Sequence, residues 1–267
     1  MTFRALPVLG QTLGPYRLVR GIALGGKSAV FRALDERSGR EAAVKIPIEG
    51  ALAGELSRRR LRREALALGR IGHPGVVAHL DHGSQDGIDF LAMELVEGPT
   101  LAEVLFQSGP LEEAAVLDLG ERLATVLAAV HERGVIHCDL KPGNVVLLKD
   151  GGVKVLDFGQ ARLVGEADLP GESFREAAGT VSYMAPERFQ EWTPDPRADR
   201  WSLGVLLYEM ATGVRPFRGD GAKAVIRAIL NEAPAPLSPR LDRCVLNLLE
   251  KDPNKRGSLR SPWDGIR

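Results

Sequence analysis

Residues 137–144 read HCDLKPGN, and thirteen residues after Asn144 a second aspartate, Asp157, opens the triplet DFG. Two carboxylates, an amide and an ammonium group held this close together suit the transfer of a phosphoryl group. Asp139 can accept the proton of an attacking hydroxyl, Lys141 can face the anionic group in transit, and Asn144 with Asp157 can supply hard oxygen ligands to a divalent cation. Little base strength is needed at Asp139, because positioning and charge neutralisation carry such a reaction. Upstream, Lys45 sits in AAVKI between apolar neighbours. A lysine in a buried strand needs an anionic partner, and Glu64 is the nearest candidate; taken alone, a strand-end lysine reaching solvent is the commoner outcome. Gly25 and Gly26 lie where backbone N–H groups can approach an anion, with Val30 following to contact a flat apolar group. A GG pair alone is more often a plain hairpin turn. A Walker-type phosphate loop does not fit, since GGKS lacks the earlier glycine and leads into a strand.

These residues need elements to position them. From Tyr16, YRLVRGIALGGKSAVFRALDERSGREAAVKIPI reads as three successive antiparallel strands with GG and DERSG as turns. LSRRRLRREALALGRIG has Leu61, Ala65 and Leu68 at helical spacing beside Glu64, an amphipathic helix with a basic outer face. HPGVVAHLDH and GIDFLAMELV suggest two further strands. After Gly98 the character turns helical: EEAAVLDLGERLATVLAAVHERG ends at Gly134, and RADRWSLGVLLYEMATG and SPRLDRCVLNLLEKD follow. A strand-rich first third before a helix-rich remainder predicts an α+β chain of two lobes, 1–94 and 99–267, joined at 95–98, with a ligand cleft between them. HCDLKPGN falls between a helix and the apolar run VVLL, a loop position of the kind that carries function.

The chain has 267 residues, 44% apolar and 26% charged, enough for a sizeable core. Lys+Arg and Asp+Glu both number 35, which excludes the overall basic charge that draws a protein to nucleic acid or to an anionic membrane; anion binding must be local. Two cysteines, Cys138 and Cys244, are too few for a disulfide framework and read as reduced thiols. No apolar run reaches membrane-spanning length and the N-terminus lacks a leader pattern, so the expectation is a soluble, cytoplasmic protein or a domain of a longer, membrane-anchored one.

The ordered set AVK, Glu64, HCDLKPGN, DFG, APE (185–187) and DRWSLG (199–204) resembles the protein-kinase signature over Tyr16 to Arg256. DLKPGN is similar to the serine/threonine form of the catalytic loop, and the GG turn and short connections are most similar to bacterial members. The resemblance implies the bilobal kinase fold and transfer of the γ-phosphate of ATP, with Mg²⁺ or Mn²⁺, to serine or threonine hydroxyls of a protein substrate. It implies that Lys45 holds the α- and β-phosphates and pairs with Glu64, that Asp157 and Asn144 bind the metal, and that Asp139 orients the hydroxyl with Lys141 beside the γ-phosphate. Ala23, Gly25 and Gly26 would approach the phosphates. Val30, Ala43 and Val146 would sandwich adenine behind a Met93 gatekeeper, and the backbone of Glu94 and Val96 would bond its edge. Thr180 would contact the catalytic loop and help select Ser/Thr. Glu187–Arg256 and Asp199 would be structural.

The chain departs from the pattern in two places. Ala23 and Ser28 stand at the first and third glycine positions of the phosphate loop, which predicts slower nucleotide closure. Cys138 replaces an arginine that in many kinases pairs with a phosphorylated activation-segment residue; with no such cation, and with Ser173 as the chief hydroxyl of that segment, activity is expected not to depend on its phosphorylation. Cys138 as a redox-sensitive thiol is the alternative to a small buried residue, which is the commoner outcome. His73, His79 and His82 are not a metal site on this reading, His79 filling a core position, and His137 packs under DFG. The arginines from 58 to 63 form a solvated helix face. Thr100 and Gly143 stand where basic-directed kinases carry acidic residues, so no preference for arginine in the substrate follows. Only eleven residues follow Arg256, which points to a trimmed domain or to a regulatory partner covering the lower face. A nucleotide-binding pseudokinase scaffold is the competing reading and a small-molecule kinase the third; the retained metal ligands speak against the former, APE and DRWSLG against the latter.

Overall fold

The computed structural model describes residues 9–26, 28–48, 54–165, 181–190 and 195–259. The first part is a six-stranded antiparallel sheet in the order β1-β2-β3-β4-β6-β5. Its strands are β1 (Thr12–Leu13), β2 (Tyr16–Leu24), β3 (Ser28–Asp35), β4 (Glu41–Pro47), β5 (His79–Gln85) and β6 (Ile88–Glu94), with helix α1 (Gly54–Ile71) between β4 and β5. Below it lie α2 (Leu101–Ser108), α3 (Glu113–Glu132), α4 (Arg197–Thr212), α5 (Ala222–Asn231) and α6 (Pro239–Leu248). Two small antiparallel pairs complete the described part: β7 (Val135–Ile136) with β10 (Arg162–Leu163), and β8 (Val145–Leu147) with β9 (Val153–Val155). The α+β, two-lobed architecture expected above is the one observed.

Pleating sorts the sheet's residues into two layers. Ala29, Phe31 and Ala33 of β3, Ala42, Val44 and Ile46 of β4, and Phe90 and Ala92 of β6 all join one buried cluster with Leu13, Tyr16 and Leu18. The intervening residues take the other face by the two-residue period of a strand. Val30 is cross-strand partner to Lys45, and Ala43 to Met93. That face is turned toward α1, whose Leu61, Ala65, Leu68 and Ile71 belong to the larger core shared with the helices below.

α4 is the axle of the lower part: every residue from Trp201 to Tyr208 is buried, as is Met210. Trp201 stacks on Phe217 with ring centres 5.4 Å apart. A capping box starts α2: Thr100 Oγ1 accepts from Glu103 N at 3.2 Å while the Glu103 carboxylate accepts from Thr100 N at 2.7 Å.

Two strands of chain join the upper and lower parts. At Gly98, φ is +147° and a Cβ would stand 2.3 Å from Leu147 O, so only glycine lets the 95–98 stretch lie this close to β8. The stretch after α1 is also tied down: Val77 N donates to Val155 O at 3.1 Å and Val155 N to Gly75 O at 2.8 Å. Gly75 presses on α3, where a Cβ would meet Val126 Cγ2 at 2.3 Å. β5 accordingly starts only at His79, later than the run HPGVVAHLDH suggested.

Candidate active site

Because Lys45 lies on the cleft face of β4, its ammonium points at α1. Nζ donates to both Glu64 oxygens at 2.8 and 2.7 Å and to Asp157 Oδ1 at 2.7 Å. Burial works against the ammonium, but the two carboxylates outweigh it and raise Lys45 above its ordinary value. Lys45 in turn holds Asp157 below the usual carboxylate range against burial. The Asp157 side chain remains 44% exposed toward the cleft.

The catalytic loop is built around a buried aspartate. Asp139 is 5% exposed, and its Oδ2 accepts from Lys141 Nζ at 2.7 Å and Asn144 Nδ2 at 3.3 Å. Oδ1 is buried with no hydrogen-bond partner, an arrangement that costs about 1–3 kcal/mol and recurs where an atom is kept ready for a ligand. Asn144 Nδ2 also donates to Asp139 O at 2.8 Å. Its amide nitrogen is thereby committed, and its Oδ1 with the Asp157 carboxylate makes an oxygen donor set that fits a hard divalent cation.

The loop itself hangs from α4. Asp199, fully buried, accepts from the backbone N–H of His137 and of Cys138, both at 2.8 Å, and from His131 Nε2 at 2.8 Å. Burial raises its carboxyl, yet His131, His137 and the Cys138 N–H prevail and hold it below its ordinary value. His137 Nδ1 accepts from Asp139 N and Nε2 donates to Leu156 O at 3.0 Å, so both ring nitrogens are used in placing the loop. Its ring meets Phe158 edge-on at 4.6 Å, packed under DFG as expected. Further down, Arg256 grips Glu187 through two bonds of 2.7 and 2.9 Å.

A cavity of about 300 Å³ opens beside Lys45. It is lined by Ala23, Gly25, Val30 and Ala43 from the sheet and by Met93, Glu94 and Val96 at the link, with Lys45, Glu64 and Asp157 at its inner end. Ser28 of the phosphate loop and Leu95 of the link line it too, together with Ile22, Val77 and Leu156, which carried no motif signal. Two expected members do not line it. Gly26 stands at the open turn, where a Cβ would meet nothing within 4 Å. Val146 is buried against the link, its Cγ1 3.0 Å from the Cβ position of Gly98. A smaller cavity of about 130 Å³ continues from Lys45 to Asp139 and adds Arg60 and Gln160. Thr180 and Ser173 lie outside the described residues.

The surroundings of Cys138 correct the idea that no cation replaces the missing arginine. Arg63, Arg162 and Arg188 come from three separate elements, are 7%, 2% and 6% exposed, and all act electrostatically on Cys138. Arg188 Nη1 donates to Cys138 O. The basic run on α1 is therefore not wholly a solvated face: Arg63 is buried, and Arg58 pairs with Asp89 at 2.9 Å. Burial pushes the Cys138 thiol up to about 12, which leaves no thiolate for redox chemistry near neutrality. His79 is not in the core; it is partly exposed, with Nε2 3.2 Å from His82 Nδ1.

The family model of the protein kinase domain matches residues 16–263. The chain belongs to that family. The kinase domain is 38% identical to the serine/threonine-protein kinase PknA of Mycobacterium tuberculosis over 255 residues, 91% of this chain and 58% of that protein. It is 40% identical over 210 residues to PknL of the same organism, covering 79% and 52%. A probable serine/threonine-protein kinase of Clostridium perfringens is 34% identical over 257 residues, 93% of this chain and 37% of that one. The chain thus spans 37–58% of the length of these curated relatives. Among the described residues, no helix of the kinase domain is long and apolar enough to cross a membrane.

Proposed function

We propose that this kinase domain transfers the γ-phosphate of ATP to serine or threonine hydroxyls of a polypeptide. The observation that carries the reading is Asp139: one carboxylate oxygen is held by Lys141 and Asn144 while the other is buried and unpartnered, an acceptor aimed where a hydroxyl proton would arrive. The Lys45–Glu64 pair fixes an ammonium at the inner end of the cavity for the α- and β-phosphates, and Val30, Ala43 and Met93 give adenine an apolar slot. Glu94 and Val96 offer backbone groups at its edge. Asn144 and Asp157 would hold Mg²⁺, which supplies charge neutralisation for the phosphates. Lys141, bonded to Asp139 Oδ2, keeps a positive charge beside the transferred group. The serine/threonine names of the relatives support the choice of acceptor, and Thr180 is carried as its selector.

Activity is read as independent of activation-segment phosphorylation, since Cys138 carries no charge of its own; the guanidinium groups of Arg63, Arg162 and Arg188, which act on it electrostatically, are buried. Phosphatase treatment decides it: retained transfer supports independence, and loss of most activity removes it.

The deciding experiment is transfer of labelled γ-phosphate to a generic Ser/Thr protein, wild type against Asp139→Asn. Label in the wild type and none in the variant supports the reading. ATP binding without transfer in the wild type would replace it with the pseudokinase scaffold.

A further inference from the structure

We propose that the acceptor is an acidic polypeptide, docked on a basic shelf formed by Arg215, Arg218, Lys223 and Arg227; this deepens the kinase reading and rests on it. The shelf is tied to the catalytic loop by a chain of contacts. Arg188 links the short helix Pro186–Phe189 to Cys138 O, next to Asp139. Ser202 Oγ donates to Tyr183 O at 2.8 Å, and Arg215 Nη1 donates to Ser182 Oγ at 2.6 Å. α5 packs on both short helices of the 181–189 segment. A peptide that presents its hydroxyl to Asp139 Oδ1 therefore has Arg215 and the start of α5 beside its flanking residues.

The charges there are lopsided. Arg215, Arg218, Lys223 and Arg227 are all exposed, and among the described residues none of them has a carboxylate within ion-pair distance; Asp220 is the one acid between them. Glu187 is paired with Arg256, and Glu209, bonded by Tyr183, faces Arg215 from the inner side of the shelf. Along 215–227 a basic peptide would meet four exposed cations and a single carboxylate, Asp220. An acidic one would meet complementary potential, which raises encounter rate and specificity. In a chain of zero formal net charge this is a local device.

The test uses the whole chain and three peptides identical except for the residues flanking a single threonine, which are Glu, Ala or Lys. Expected is kcat/KM in the order Glu, Ala, Lys, roughly tenfold from end to end and shrinking in about 0.5 M salt. The triple variant Arg218→Glu, Lys223→Glu, Arg227→Glu should flatten or reverse that order while its affinity for a fluorescent ATP analogue, which reports the fold, stays unchanged. Equal rates on all three peptides, a preference for Lys, or a triple variant that keeps the wild-type order would overturn the inference and leave the kinase reading standing. Transfer to no peptide or protein, with nucleotide bound, would overturn both. Tight binding of single-stranded RNA without peptide discrimination would reassign the shelf to nucleic acid.

Discussion

Cys138 and Asp157 share an unusual backbone, φ +64° and +59°, in the left-handed region that non-glycine residues seldom adopt. Both sit beside the carboxylates that the reaction needs, and the strain is held in place by surrounding bonds: Asp199 to Cys138 N, and Lys45 to Asp157. At Cys138 the side chain itself is chemically silent. Iodoacetamide at pH 8 should label no thiol in the native chain and both cysteines in denaturant, since burial pushes Cys138 to about 12 and Cys244 to about 11; rapid native labelling of Cys138, read by peptide mass, would contradict this. Lys45→Met should abolish transfer and also lower the melting temperature, because Glu64 would be left buried without its cation, a loss of about 3–5 kcal/mol in comparable buried pairs. Calorimetry showing full stability in that variant would mean that the pair is dispensable to the fold. For Asp157, Asn is the informative replacement, since it tolerates positive φ and removes the charge alone.

The elements were legible to different depths. Lys45, Glu64, Asp139, Asn144 and Asp157 were readable because each sits in a motif whose neighbours fix its direction: the apolar pleat of β4, the helical spacing of α1, the loop after Gly134. Val146 and Gly26 do not line the cavity itself, because lining depends on depth and on loop path, which a spacing does not contain. The three arginines around Cys138 could not be found from sequence, as they come from α1, β10 and the Pro186–Phe189 turn and meet only when packed. Helices α2 and α5 are hard to read because they span only eight and ten residues, and α5 follows Gly221 without the side-chain cap that Ser238 gives the equally short α6. At this scale Asp199 is the test of how α4 holds the catalytic loop. Asp199→Asn should lower stability by about 2–4 kcal/mol at pH 7, since one amide oxygen cannot serve two N–H groups and His131. The sign with pH follows from its depressed carboxyl: its contribution is present above the unfolded value of 3.8 and is lost as pH falls below it, so wild type and variant should converge in acid melts. Divergence in acid would contradict that.

Across the whole molecule the apolar residues form two clusters, a large one running from α1 through the helices and a small one on the outer face of the sheet. Hydrogen exchange should reflect this, with the amides of Trp201–Met210 in α4 slowest and those of the exposed end of β2 fastest. Equal protection of both would show that the sheet and the helices open together.

The bonds that fasten Gly75 and Val77 to Val155 give α1 an anchored end and a swinging end. Its last residue, Ile71, lies four residues from the fastening, whereas Glu64 lies seven residues further out, a lever of about 10 Å at 1.5 Å per residue. A tilt of about 20° about that end would carry Glu64 some ~3.5 Å sideways, more than the length of its bond to Lys45. A push on the outer turns of α1, where Arg59 and Glu55 face solvent, is thereby geared to reach the ammonium that holds the cleft in order, without any change in the path of the chain between the lobes.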